Sequence, residues 1–473
     1  MTLIVTLLAA AALLATWWVR RRIQIGEDFA SGRRRLPATL CGISQAVNSV
    51  PLWFLLALAA YAYTAGFAAV WLAAASLAGL AINGWFVAPR LRSQAVGTHT
   101  LSQWFAASAG ERMEAATSRS AAIIVVCAVG LTTVTVAQWT ATSLSAAVGI
   151  SYTTALILLA ALLFFVVFFG GIWSASASDL IQAGLLLLIL SSVAVAGVVA
   201  VGGITPLKMG LAYGGANWFG GYTGVLALSL FVGLSFAAFG SAAQPASISR
   251  YLACKDDAAL LTGRRQAMVW GAIVLLAALT IGWCAKVSGI QATEGRFVLA
   301  ALIARSMPAW AVTSISGGFI AAMGLACMSP SLAIATHLAT DLNTSSTAVS
   351  LVWCRVALIV LVVAIPTAAL YFPPGGEDRL WFCWHALCAA FGPLLLVRLT
   401  GKKVRAGSSL GAMWSGFILT LLFHLMPDTP GDLMERSLPF IAAMGIALSG
   451  GERRRNPDRA DRGDRTVHDH LPI

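Results

Sequence analysis

This sequence carries little charge. Only 11% of its 473 residues are Asp, Glu, Lys or Arg, against about 25% in an ordinary soluble domain, which excludes a water-facing globule. No CxxC pair occurs among its eight cysteines (41, 127, 254, 284, 327, 354, 383 and 388). That argues against zinc and dithiol chemistry and leaves small apolar packing as their role. The six histidines follow no metal-ligand spacing: His337 and His385 stand alone in or near apolar helices, and His468 and His470 sit in a polar tail. No segment sets paired His, Asp and Glu, or Ser, His and Asp, at a usable spacing, so a membrane enzyme is the weakest reading. The long apolar runs also lack the period-2 alternation of a membrane barrel, which leaves helices as the only elements that satisfy their backbone in lipid.

What is there is apolar: 59% of the chain is hydrophobic. Runs such as Ala121–Val136, Ala155–Val167 and Leu185–Val201 approach the length that crosses ~30 Å of hydrocarbon as a helix. The expectation is an all-α membrane protein of thirteen spans, from 2–20 to 437–450, filling residues 1–450 with a core at about 38–398. A short Arg- and Asp-rich tail, 451–473, has no apolar periodicity and reads as disordered.

A net charge of +12 would suit a nucleic-acid partner, but its distribution argues against one. Alternating loops place 25 of the 31 basic residues on one side, Arg20–Arg22, Arg33–Arg35, Arg250, Arg398 and the tail arginines among them. By the positive-inside rule that side is cytoplasmic, so the N-terminus lies outside and the C-terminus inside. The first span has no basic residues before it and Arg20–Arg22 directly after it, the pattern of a retained helix rather than a signal peptide.

Two spans carry interruptions. Residues 42–53 read GISQAVNSVPLW, and five spans later residues 233–245 read GLSFAAFGSAAQP. Proline removes a backbone donor, so each segment is either locally unwound or an ordinary proline kink. Unwound helices at matching places in two halves mark an inverted-repeat secondary transporter with a midplane binding site.

The words themselves go further. DFASGRRRLP from Asp28, INGWFVAPRLR from Ile82, GISYTTAL from Gly149, GGIWSASASDLIQAG from Gly170, QPASISRYLA from Gln244, RRQAMVW from Arg264 and AAFGP from Ala389 form an ordered set. In that order and spacing it resembles the sodium:solute symporter family, most closely the proline-permease branch. The resemblance implies a five-plus-five inverted repeat in the bacterial inner membrane, and uptake of a small organic solute, an amino acid such as proline or a small organic acid, driven by sodium.

Carried over residue by residue, the resemblance implies a cation held by backbone carbonyls at Val47, Val50 and Ala322, with two hydroxyls following. Those two places, in AAMGLACMSPS (321–331), hold Leu325 and Ala326. Sodium is a hard cation, and losing two of its oxygens costs several kcal/mol of site affinity. Weak or absent sodium dependence is therefore expected. Asp179, a boundary carboxylate, is the alternative carrier, of a proton, or else a helix N-cap. Facing the solute, the expected residues are Gln45, Asn48, Ser49, Trp53, Gln138, Ser241, Gln244 and Trp384; polar groups of this kind also glue helices together. Ala237 and Ser241 stand where the proline branch carries aromatics, so the solute stays open. No cofactor beyond a possible Na+ is implied, and the partners are the solute and the bilayer. A solute sensor or partner subunit built on the same scaffold remains the other reading.

Overall fold

A computed structural model describes residues 2–95, 97–107, 111–215, 217–292, 295–341 and 349–452. Ten of its helices are long and apolar enough to cross a membrane, and the chain is a multi-pass membrane protein. The N-terminal helix Thr2–Val19 packs along Tyr152–Ala200. Side-chain caps set several helix starts: Ser151 accepts from the Thr154 amide at 3.0 Å, and Asp256 from that of Ala259 at 2.7 Å. Such caps take up amides that a helix start leaves unpaired. All eight cysteines are free, and all but Cys127 are buried, in keeping with a packing role.

Glycine sets where the longest helices turn. Tyr152–Ala200 has 49 residues, which would run about 74 Å if straight, more than twice the hydrocarbon thickness. It is divided at Gly171, whose φ of 48° and ψ of −137° lie where a side chain is rarely tolerated. A Cβ there would fall 2.7 Å from the Phe29 carbonyl oxygen. The sequence places a helix start at Asp179; the helix instead resumes directly after Gly171, so Asp179 sits inside it and not at its cap. Gly66, with φ of 64° and ψ of −123°, likewise closes Leu52–Ala65 before Ala69–Ala81 begins.

Both interrupted segments are unwound. Ala38–Ser49 ends at Val50 (φ −132°, ψ 71°), and Leu52–Ala65 starts again after Pro51. Gly224–Gly240 passes through a turn at Ser241–Ala243, extends at Gln244 (φ −75°, ψ 119°) and resumes as Pro245–Ala253. In both cases proline stands at the restart, where its missing N–H costs nothing. A third break, at Ala326 and Cys327, divides Ala309–Leu325 from Met328–Asp341. Of the polar tail, only Gly451 and Glu452 are described, paired antiparallel with Val404 and Lys403; the rest, with His468 and His470, lies outside the described residues.

The Gly171 turn gives a direct test. Gly171→Val is expected to lower the stability of the purified protein by roughly 1–3 kcal/mol or more. Gly184→Ala, in open space on the same helix, should leave it equal or up to about 1 kcal/mol higher. Thermal unfolding in detergent reads both.

Candidate functional site

The three breaks converge on one buried polar centre. Asp179, 1% exposed, and Arg250, fully buried, form an ion pair with Arg250 Nη2 3.2 Å from Asp179 Oδ2. The same carboxylate oxygen accepts from Ser44 Oγ at 2.5 Å, Asn48 Nδ2 at 2.9 Å and Ser329 Oγ at 2.7 Å. Arg250 spends its other donors nearby: Nε gives to Ser44 Oγ at 2.7 Å and Nη1 to Ser249 Oγ at 2.8 Å. Arg250 Nη2 also reaches Ser329 Oγ. One charge pair thus ties Ala38–Ser49, Tyr152–Ala200, Pro245–Ala253 and Met328–Asp341. Burying two charges is costly unless they are paired and hydrogen-bonded; here they are paired, and hydrogen bonds meet Asp179 Oδ2 and all three guanidinium nitrogens.

A second polar layer joins the two unwound helices. Gln45 Nε2 donates to Ser49 Oγ at 2.6 Å, and Ser49 Oγ meets Ser247 Oγ at 3.0 Å. Asn83 Nδ2 reaches Ser241 Oγ at 3.2 Å from Ile82–Val87, a π-helical stretch of the kind often found at functional sites.

Above these layers lies a cavity of about 70 Å³. Asp179, Asn48, Gln182 and Gln244 give it polar groups, and Val47, Pro51, Leu52, Val129 and Leu387 give it apolar walls. An aromatic cluster closes one side: Trp53 lies edge-on to Trp384 at 5.6 Å and to Trp381 at 5.4 Å, and Phe54 to Trp381 at 5.3 Å. Trp384 Nε1 and Gln182 Oε1 are both buried without a hydrogen-bond partner. Gly240 makes room for the indole, since a Cβ there would lie 2.0 Å from Trp384 Nε1.

The expected site residues divide between these places. Val47, Asn48, Trp53, Asp179, Gln244, Ala326 and Trp384 share the central cavity. Gln45, Ser49 and Ser241 belong to the helix-joining layer. Gln138 is tied instead to the chain after Leu351–Tyr371: Nε2 donates to the carbonyls of Ala369 and Phe372, and Oε1 accepts from the Gly375 amide at 2.9 Å. Val50 is buried at the first break. Ala322 is also buried, and its carbonyl accepts from the Ala326 amide at 3.1 Å. Leu325 lines a separate apolar groove beside the N-terminal helix.

Arg250, Ser329, Ser44 and Gln182 escape the sequence reading. Arg250 lies five residues before Lys255 and counts there as one more loop charge. The signal for it is the need of Asp179, the lone acid at its depth in that part of the chain, for a partner. The histidines are not solitary either: His337 Nδ1 lies 2.7 Å from Asp341, and His385 Nδ1 lies 3.1 Å from Glu435. Towards the arginine-rich end, Arg34 Nη2 donates to the Ala95 carbonyl at 3.0 Å. Burial, with Arg92 beside it, pulls its guanidinium below the ordinary arginine value.

The chain is similar to known proteins in sequence and in fold. The model of the sodium:solute symporter family matches residues 29–418. The sodium/proline symporter of Escherichia coli (strain K12) is 24% identical over 440 residues, 85% of each chain. The osmoregulated proline transporter OpuE of Bacillus subtilis (strain 168) is 22% identical over 431 residues, 87% of this chain and 86% of its own. Among solved structures, the substrate-bound outward-open state of a Na+-coupled sialic acid symporter superposes with a TM-score of 0.77 at 18% identity. That match covers 96% of this chain and 98% of the other. MhsT in complex with L-phenylalanine gives 0.57 at 17% identity, covering 88% and 98%.

If the Asp179 oxygen organises the centre, Ser329→Ala should cost about 1.5–3 kcal/mol, the range for a hydrogen bond to a charged group. Ser249→Ala should cost less, because Ser249 Oγ meets Arg250 Nη1 and the Ala246 carbonyl but not Asp179. Chemical or thermal unfolding of the purified variants measures the difference.

Proposed function

The chain belongs to the sodium:solute symporter family, and on that premise we propose that it takes up a small zwitterionic or acidic organic solute with little or no dependence on sodium. That it is a membrane-embedded solute transporter follows from the family itself. An amino acid such as proline, or a small organic acid, suits the cavity, and the named activities of the relatives point the same way. A cavity with apolar walls and a few placed polar groups is the usual form of a small-molecule site. Its buried charges, Asp179 and Arg250, cancel each other. Asn48, Trp53, Gln244 and Trp384, which line it, are its recognition residues.

The membrane is the bacterial inner membrane, with the N-terminus outside and the C-terminus cytoplasmic. The concentration of basic residues at one end supports that orientation. Thirteen spans in a five-plus-five inverted repeat remain our reading. The turns at Gly66 and Gly171 support it, since each divides one of the ten long helices. Leu433–Ser449, at 17 residues, supplies a further short span.

The observation that carries the coupling proposal is the donor set. A sodium ion at the family's position would draw on carbonyls of Val47, Val50 and Ala322, and Leu325 and Ala326 offer it no side-chain oxygen. Leu325 lines an apolar groove instead. Asp179, the one carboxylate on the cavity, already faces the guanidinium of Arg250. These residues do not fit a hard cation that wants six or so oxygens. A proton on Asp179 is the second reading; it draws on the burial of that carboxylate against the cavity, but it would surrender the ion pair.

Reconstituted into proteoliposomes at a clamped membrane potential, the protein is expected to exchange labelled L-proline or a small carboxylate for its unlabelled form. Replacing sodium with choline should change the rate by less than about twofold, which is ~0.4 kcal/mol. Strong, saturable stimulation by sodium would overturn the coupling proposal. Solute binding without any exchange would favour a sensor over a transporter.

A further inference from the structure

Away from the cavity, at the end of the bundle opposite the arginine-rich loops, three titratable side chains from three helices meet. Glu435, on Leu433–Ser449, lies between two imidazoles: His385 Nδ1 on Glu377–Leu399 is 3.1 Å from Oε1, and His424 Nδ1 on Ala406–His424 is 3.1 Å from Oε2. A carboxylate can only accept, so each neutral imidazole donates its Nδ1–H to Glu435. The group is graded from solvent inwards, with His424 29% exposed, Glu435 12% and His385 4% by side chain. At the buried end, His385 Nε2 has no hydrogen-bond partner at all.

That buried end touches the aromatic cluster that roofs the cavity, in which Trp53 and Trp384 face the cavity and Trp381 stands behind them. The His385 ring stacks on Trp381 at 5.5 Å and 18°, and Trp381 meets Trp53 and Phe54. Arg436 lies 4.9 Å from the Trp381 ring and pairs with Asp432 at 2.5 Å. The other titratable groups near the node include Glu377, Asp378, Asp428 and Tyr61. On the helices packed behind, the described residues of Gly224–Gly240 and of the stretch 120–148 include no acid, base or histidine. In the connecting loop, burial, followed by Asp432, Asp378 and Glu435, raises the Asp428 carboxyl above its usual value.

We propose that His385, Glu435 and His424 form a proton-binding site that takes a single proton from the solvent side and holds the roof at Trp381 closed while it is bound. The charge count gives the direction. With both imidazoles neutral the three groups carry one net negative charge, Arg436 being already matched by Asp432. One added proton makes an imidazolium against the carboxylate and brings the node to neutrality, the state that burial favours. On His385 that imidazolium also lies over the Trp381 face, a favourable cation–π arrangement. Withdrawing the proton leaves an unmatched negative charge where the three helices meet and loosens their hold on Trp381. The topology proposed above enters only in naming the solvent side as the outside of the cell.

Tryptophan emission tests this on the purified full-length protein, because a protonated imidazole stacked on an indole quenches it. The difference in emission between the wild type and Trp381→Phe should fall on acidification across roughly pH 5–8, where histidine ordinarily titrates. His385→Gln should abolish that titration. Glu435→Gln, which removes the anion, should move its midpoint down by about one pH unit or more. If His385→Gln fails to fold, His424→Gln, on the exposed side chain, carries the test and should shift the midpoint. A flat difference signal in the wild type, or a titration unchanged in these variants, overturns the proposal. The readout needs no transport, so a failed uptake assay beside an intact titration would count against the proposed function and not against this site.

Discussion

The interaction on which the rest depends is the ion pair between Arg250 and Asp179. Two charges taken from water into the middle of a helix bundle are a liability unless they are paired and hydrogen-bonded. Here Asp179 Oδ2 and the Arg250 guanidinium meet each other and Ser44, Asn48, Ser249 and Ser329, which come from three different helices. The pair therefore fixes how those helices sit relative to one another. If one shifts, the cost is an unpaired charge and not merely a lost contact.

This constraint explains why the backbone is broken where it is. Ala38–Ser49 must stop at Val50 and Pro51 for Ser44 and Asn48 to reach Asp179 while Trp53 joins the aromatic side of the cavity. Pro245–Ala253 must restart after Gln244 for Arg250 to point into the centre while Gln244 lines the cavity. Freed backbone in the middle of a membrane is tolerated only where protein or a cavity covers it, and the cavity between the roof and the ion pair does so. On the function proposed above, a charge-matched pair and an aromatic cluster would orient a solute without an outside cation, in keeping with side chains at Leu325 and Ala326 that carry no oxygen.

Much of this frame was legible in the sequence, because the forces that set it are local. Apolar runs announce their own helices, and proline beside small and polar residues announces a break, so both unwound segments could be placed to within a few residues. The partners across the centre were less legible. Ser329 carries no mark of its own in an apolar helix, and only the packing of Met328–Asp341 brings it to Asp179. Arg250 was hidden by its nearness to Lys255, since charge at the end of a span reads as topology. The start expected at Asp179 failed because a single glycine, Gly171, makes the turn that a longer loop was expected to make. Gln138, polar within an apolar helix, looked like a solute contact and instead ties down the chain after Tyr371. The node at Glu435 joins residues 11 and 50 positions away, a separation that no local pattern reveals.

A double-mutant cycle on the central pair tests this account most directly, with thermal unfolding of the wild type, Asp179→Asn, Arg250→Gln and the double variant. Each single change leaves one buried charge uncompensated and should cost about 3–5 kcal/mol. The double change should recover a large part of that loss, giving a coupling energy well above the ~0.5 kcal/mol that independent sites show. Additive losses would contradict the account and would mean that the two charges do not hold the helices together through each other.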